Sequence, residues 1–253
     1  IPALYAGTYN LEVKDKNKCL APAPPTGIVI NEPDSLIIEK PVYTEIKCNG
    51  DATDVYFNVT GGWAGIDKTV KITGSGKNMT IPAGTNYSLK AGTYTLTASN
   101  KDGCYATPLQ FTIDQPEKLV LNTPIVDNVS CFGANDAKIT FTVTGGTPDF
   151  QYGLRGTGSA SIPFTGTSHT ITTDLVASTY NLVVQDANGC QSVVKTVAIT
   201  EPALITFDVR FDSVTCNGAS DGKIIFENAK GGDNTFSAYL TKPGGPEELS
   251  YFP

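Results

Sequence analysis

The sequence is poor in the residues on which most enzyme chemistry is built. Its 253 residues include one histidine, one methionine and one tryptophan. A Ser/His/Asp or Cys/His centre would have to use His169, which stands in "TGTSHT", outside every motif that recurs along the chain. A strand or turn histidine facing solvent is the plainer reading, so no enzymatic activity is expected. Cationic charge is scarce: 18 Lys and Arg stand against 25 Asp and Glu, for a formal net charge of -7. Binding nucleic acid needs a concentrated basic surface to displace counterions, so a nucleic-acid partner is excluded. No run approaches the ~18 consecutive apolar residues of a membrane span. No stretch keeps a helical period, and without a helix there is no Gly-rich phosphate loop leading into one. An apolar share of 40% with 17% charged residues also sets disorder aside.

What is present points to β-structure. There are 25 Gly, 16 Pro and many Thr residues, and "YTLTAS" (94–99), "KITFTVTGG" (138–146) and "KIIFENAKGG" (223–232) alternate apolar with polar positions. That alternation is what a strand with one buried face requires.

The chain also repeats itself. "AGTYNLEVKDKNKC" (6–19), "AGTYTLTASNKDGC" (91–104) and "ASTYNLVVQDANGC" (177–190) each run from a small residue through Tyr to Cys. Tyr9, Tyr94 and Tyr180 are spaced by 85 and 86 residues, as are Cys19, Cys104 and Cys190. A second series, Cys48, Cys131 and Cys216, is spaced by 83 and 85. Gly62, Gly146 and Gly232 close the strand that follows, and Pro33, Pro116 and Pro202 close each period. The period divides the chain into the C-terminal part of one repeat (1–33), complete repeats at 34–116 and 117–202, and the N-terminal part of another (203–253). The two partial repeats together hold 84 residues, one repeat's worth. Residue 1 falls inside a repeated motif rather than in a signal peptide, so the chain reads as an excerpt from something longer.

For 117–202 the predicted strands are 119–129, 137–144, 149–154, a short edge strand near 157–164, 168–175, 179–185 and 191–199. Seven short strands in about 85 residues predict a two-sheet sandwich of immunoglobulin or fibronectin type. Tyr9, Tyr94 and Tyr180 then fit the tyrosine corner, and "NKDGC" and "DANGC" supply turn residues for the last hairpin.

Regularly placed cysteines in a β-repeat favour disulfides. Pairing within a repeat, Cys48 with Cys104 and Cys131 with Cys190, is the simplest scheme. It must bridge a strand of ~8 residues, ~27 Å, where a disulfide needs Cα atoms within ~7 Å. Pairing between consecutive repeats, Cys48 with Cys190, avoids that span and leaves Cys19, Cys104, Cys131 and Cys216 to partners outside this stretch or to a different pairing. Both remain open from sequence.

Together "CNGASDGKI", "TVTGGTP", "AGTY", "DANGC" and "TEP" resemble the SprB-type repeat of giant cell-surface adhesins in gliding bacteria. The resemblance implies a long extracellular filament, exported by type IX secretion, moved along the bacterial surface by the gliding machinery and adhering to a substratum or surface polysaccharide. "CNGDATDVYF" without Asp-Gly, "KNKC" for Asn-Gly-Cys and the Pro-rich "CLAPAPPTGIVI" depart from it. "DSL" (34–36) and "DSV" (212–214) resemble a short O-glycosylation signal of such bacteria, making Ser35 and Ser213 candidate acceptors.

Two ligand readings compete with plain structure. The Asp/Asn groups at 50–54, 133–137 and 218–222 offer oxygen ligands for calcium, yet turns favour the same residues for backbone reasons. Trp63, in "GGWAG" where the next repeat has "GGTP", is a candidate glycan platform or a loop anchor. The reading that follows is an all-β stalk of tandem sandwiches forming an extended rod, its partners being neighbouring repeats. A glycan-binding surface module is the alternative.

Overall fold

The computed structural model describes residues 3–22, 27–155, 161–241 and 247–250. Residues 23–26 of the Pro-rich insertion and residues 157–160, the first half of the predicted edge strand, lie outside them. The described residues contain strands and turns and no helix. They form two compact units, Ile1–Ile46 with Gly50–Gln115, and Lys47–Asn49 with Pro116–Pro253.

The first unit begins with a hairpin, β1 (Gly7–Tyr9) against β2 (Ile28–Ile30). One layer of its sandwich is made of two short ladders, β3 (Ile37–Ile38) on β5 (Val59–Thr60) and β4 (Ala52–Phe57) on β8 (Thr85–Lys90). The other sheet runs β7 (Lys77–Pro82), β6 (Lys68–Gly74), β9 (Gly92–Asn100), β10 (Leu109–Ile113). Tyr94, Leu96 and Ala98 alternate inward along β9 and meet Val55 and Phe57 from β4 in a single apolar core.

The second unit repeats the plan. β11 (Val120–Leu121), β12 (Ile125–Asp127) and β16 (Ser168–Ile171) pair with β13 (Lys138–Thr144). β15 (Ile162–Phe164), β14 (Phe150–Arg155), β17 (Ser178–Gln185) and β18 (Lys195–Ile199) form the facing sheet in that order. Ile139, Phe141, Leu154, Tyr180 and Leu182 fill its core. Then come β19 (Ala203–Asp212) paired with β20 (Lys223–Gly232), and β21 (Ala238–Thr241) paired with β22 (Glu247–Ser250).

In immunoglobulin letters the sheets are A-B-E and C′-C-F-G. The extra edge strand joins C rather than E, which separates this plan from the constant-type immunoglobulin arrangement. Strand A, expected to run unbroken over 119–129, is split into β11 and β12. Pro124 lies in the gap and has no N–H for the ladder. A bulge in β20 likewise interrupts the expected alternation of 223–232; Asn228 there takes φ +57°.

Gly-Gly pairs end the B strands for a steric reason. Gly61, Gly145 and Gly231 all have positive φ, and a Cβ on each would overlap the carbonyl oxygen of Ser35, Lys118 or Leu204 respectively. Their neighbours Gly62, Gly146 and Gly232 leave room for Leu36, Leu119 and Ile205. Strand A can lie this close to strand B only because no side chain intervenes.

Candidate functional site

The recurring residues converge on two loops of each repeat, and both carry a cysteine. The F to G loop is prepared by the tyrosine ahead of it. Tyr9, Tyr94 and Tyr180 each donate their hydroxyl to the carbonyl four residues upstream, on Tyr5, Lys90 and Val176, at 2.7, 2.9 and 3.0 Å. The apolar ring of Tyr94 or Tyr180 sits in the core while its hydroxyl bonds the carbonyl of Lys90 or Val176 ahead of the F strand.

The loop itself is held by an Asp or Asn four residues before the cysteine. Asp15 Oδ1 accepts the N–H groups of Asn17 and Cys19; Asn100 Oδ1 accepts those of Asp102 and Cys104; Asp186 Oδ1 accepts those of Asn188 and Cys190. The residue before each cysteine takes positive φ, at +83° for Gly103, +87° for Gly189 and +68° for Lys18. Lys18 is where "KNKC" replaces Asn-Gly-Cys, so the first loop keeps its shape at the cost of a left-handed non-glycine residue. This side-chain brace was not anticipated, although its signal, Asp or Asn at Cys minus four, is present in all three copies. Asp186 does most, because its second oxygen also accepts the Thr147 N–H at 3.0 Å and the residue is buried. Asp186→Ala is expected to destabilise the second unit by about 2–3 kcal/mol, since three N–H donors lose their acceptor. A urea denaturation midpoint unchanged from the parent chain would contradict that.

The A to B loop carries Cys48, Cys131 or Cys216 and turns at Gly50, Gly133 or Gly218, all with positive φ. It is closed by the residue before the terminal proline of its own repeat. Gly50 N donates to Gln115 Oε1 and Gly133 N to Glu201 Oε2, both at 2.8 Å. Asp136 accepts the Ser130 N–H, and Asp221 accepts both the N–H and the hydroxyl of Thr215. These bonds, from the Ser130 or Thr215 side chain first and the backbone second, hold both carboxyls below their ordinary 3.8. A depressed folded pKa gives a contribution that is present above the ordinary value and fades as pH falls through the lower folded one. Carboxyl NMR titrations of Asp136 and Asp221 are expected to show midpoints below 3.8, with faster Ser130 and Thr215 amide exchange at the acid end.

Of the two pairings left open, the structure contains one. Cys48 is bonded to Cys190, with Cα atoms 5.6 Å apart and a sequence separation of 142. Lys47 O accepts from Asn188 Nδ2 and from the Cys190 sulfur. Cys19, Cys104, Cys131 and Cys216 are free and exposed, so the within-repeat bonds Cys48–Cys104 and Cys131–Cys190 are absent.

One of these loops, the A to B loop, lies in the part of the second unit that a known family describes. Residues 123–162 match the SprB repeat. The SprB match takes in β12, β13 and β14, the A to B loop with Cys131, and the Gly145–Gly146 pair. No curated protein matches the chain. Among solved structures it is similar to the FN1–FN3 domains of chicken CNTN1, at 11% identity over 75% of this chain and 76% of that one, TM-score 0.31. It is also similar to extracellular domains 3–5 of Drosophila OTK, at 16% identity over 68% of each chain, TM-score 0.25. The sandwich assignment beside the SprB match rests on the strand pairing itself.

The remaining candidates stand apart from these loops. Trp63, in the turn between β5 and β6, is 46% exposed. His169 does not face solvent as expected: it is half-buried on β16, with its ring 5.1 to 5.8 Å from those of Tyr152, Phe164 and Phe141. It extends the aromatic cluster beside the core. Ser35 and Ser213 are both exposed but occupy different positions in the repeat, one just after Pro33 and the other three residues before Cys216. Among the described residues no three His, Cys, Asp or Glu side chains gather as a metal site, and Asp136, Asp186 and Asp221 are engaged in bracing loops. No helix among them is long and apolar enough to cross a membrane.

Proposed function

We propose that the chain is a section of the stalk of a secreted, filamentous cell-surface adhesin of the gliding-motility type, displayed outside a bacterium through type IX secretion. The SprB match supports a cell-surface adhesin module, and the observation that carries the mechanical reading is the Cys48–Cys190 bond. It joins a loop of one sequence repeat to a loop of the next, which suits a protein whose work is to bear tension between a surface and a distant contact. In this reading the partners are neighbouring repeats along an extended rod, and a substratum or surface polysaccharide at its end.

Pulling single molecules by their termini tests this. The bond withholds the 142 positions it spans, about 500 Å of contour at ~3.5 Å per residue. Oxidised molecules are expected to fall short of reduced ones by that length. Equal lengths in both states would remove the tension-bearing role.

The half-exposed indole of Trp63 favours one second reading, a glycan-binding module. That reading requires binding to a polysaccharide array that Trp63→Ala abolishes.

A further inference from the structure

Two Asn-Gly pairs flank the Cys48–Cys190 bond, with Asn49 and Gly50 beside one sulfur and Asn188 and Gly189 beside the other. In such a pair the glycine nitrogen can attack the asparagine side-chain amide, because no Cβ on the glycine hinders a close backbone approach. All four residues are exposed, so water reaches them. At each pair the fold places a hydrogen bond on both of the groups that would react.

At Asn188 the nucleophile is the Gly189 nitrogen, whose N–H donates to the Asp186 carbonyl at 3.0 Å. The electrophile is Cγ of the Asn188 amide, and Nδ2 of that amide donates to Thr147 Oγ1 at 2.8 Å and to Lys47 O at 3.2 Å. At Asn49 the Gly50 N–H donates to Gln115 Oε1 at 2.8 Å and Nδ2 to the Pro116 carbonyl at 3.0 Å. An N–H held as a donor must leave its acceptor before it can lose its proton and attack. A side-chain amide tied at its nitrogen is likewise not free to turn Cγ toward the backbone. The two restraints differ in where they end. That on Asn49 and Gly50 closes on Gln115 and Pro116, the last residues of its own repeat, whereas that on Asn188 reaches Lys47, the residue before Cys48, and so depends on the staple beside it.

We propose that Asn188 is a self-modification site gated by the Cys48–Cys190 bond: it stays asparagine while the bond is closed and deamidates once the bond is opened. The Gly189 nitrogen bonds to Asn188 Cγ as the Cγ–Nδ2 bond breaks, and the proton lost by that nitrogen leaves with the Nδ2 group as ammonia. One water then opens the five-membered imide at either of its carbonyls. Opening at one restores the backbone with aspartate; opening at the other gives isoaspartate, its backbone rerouted through the side chain. No oxidant or reductant is consumed in these steps.

Either product replaces a donor by a carboxylate that only accepts. The new oxygen faces the Lys47 carbonyl, where Nδ2 had donated, so the loop bearing Cys190 loses a bond to the loop bearing Cys48 and meets a like partial charge instead. Isoaspartate also lengthens the backbone just ahead of Gly189, whose φ of +87° sets the direction of Cys190. A junction that has been opened long enough to deamidate therefore closes less readily than one that has not.

The test incubates the 253-residue chain, oxidised and reduced, in mildly alkaline water labelled with heavy oxygen, and maps the peptides to find which asparagines have taken up the label. Reduction is expected to speed conversion of Asn188 by about tenfold, the factor that one ordinary hydrogen bond represents, and to leave Asn49 at its oxidised rate. The Cys48→Ser, Cys190→Ser double variant should reproduce that result without reductant. Gln115→Ala should do the converse in the oxidised chain, speeding Asn49 and leaving Asn188 unchanged. Asn188→Asp installs the product directly and is expected to shift closure of the Cys48–Cys190 bond against a glutathione redox buffer by about tenfold toward the open form. Equal rates at Asn188 in the two redox states, a rise at Asn49 on reduction that matches the rise at Asn188, no response of Asn49 to Gln115→Ala, or an Asn188→Asp chain that closes as readily as the parent would each overturn the proposal.

Discussion

Replacing Gly145 by alanine is expected to destabilise the second unit by at least about 3 kcal/mol, the sum of a left-handed backbone cost and a core-like steric clash. At about 4–8 °C per kcal/mol for a domain of this size, its melting temperature should fall by roughly 12 °C or more. Gly145 has φ +65°, which alone costs a residue with a Cβ about 1–2 kcal/mol. The larger part is steric. The added carbon would overlap the Lys118 carbonyl oxygen, and Lys118 cannot retreat freely because Gly146 N donates to the carbonyl of the preceding residue, Glu117, at 3.0 Å. Gly133→Ala separates the two contributions. Gly133 has φ +74° with open space around the missing Cβ, so it should lose only the backbone part. Calorimetry of both variants decides the matter, and equal losses would show that the close approach of strands A and B contributes nothing.

Reducing the Cys48–Cys190 bond, or replacing both residues by serine, is the second change with a large expected effect. A separation of 142 gives a loop-closure ceiling of about 5 kcal/mol, and disulfides typically contribute about 2–4 kcal/mol. The loss should appear as a lower urea midpoint for the second unit. Because the closed loop runs through Gly50–Gln115 of the first unit, that unit's midpoint is expected to fall as well. A midpoint that stays in place after complete reduction would show that the bond constrains nothing in the unfolded chain.

The fold class was legible because alternation and turn chemistry both act locally. Residues 138–144 alternate inward and outward in sequence as they do in β13, and the Gly, Asn and Asp of the F to G loops announce a reversal whatever surrounds them. Features that depend on a distant partner were not legible. Nothing near Gly145 in sequence names Lys118, and nothing near Asp186 names Thr147, so the close strand approach and the third bond of the brace emerge only from the fold. His169 reads as exposed because it stands outside the motifs that recur along the chain, yet strand pairing places it opposite Phe141. The cysteine pairing was ambiguous because the spacing of the two series is common to every repeat; the choice depends on which loops meet.

The glutamine or glutamate ahead of each terminal proline has a consequence for how such a chain can vary. Gln115 and Glu201 differ in charge but perform the same task, accepting one N–H from the glycine turn beside a cysteine of their own repeat. The sulfur is thus aimed by a latch made within the module that bears it. Modules of divergent sequence should therefore be exchangeable between positions in the chain, each arriving with its linkage point already oriented.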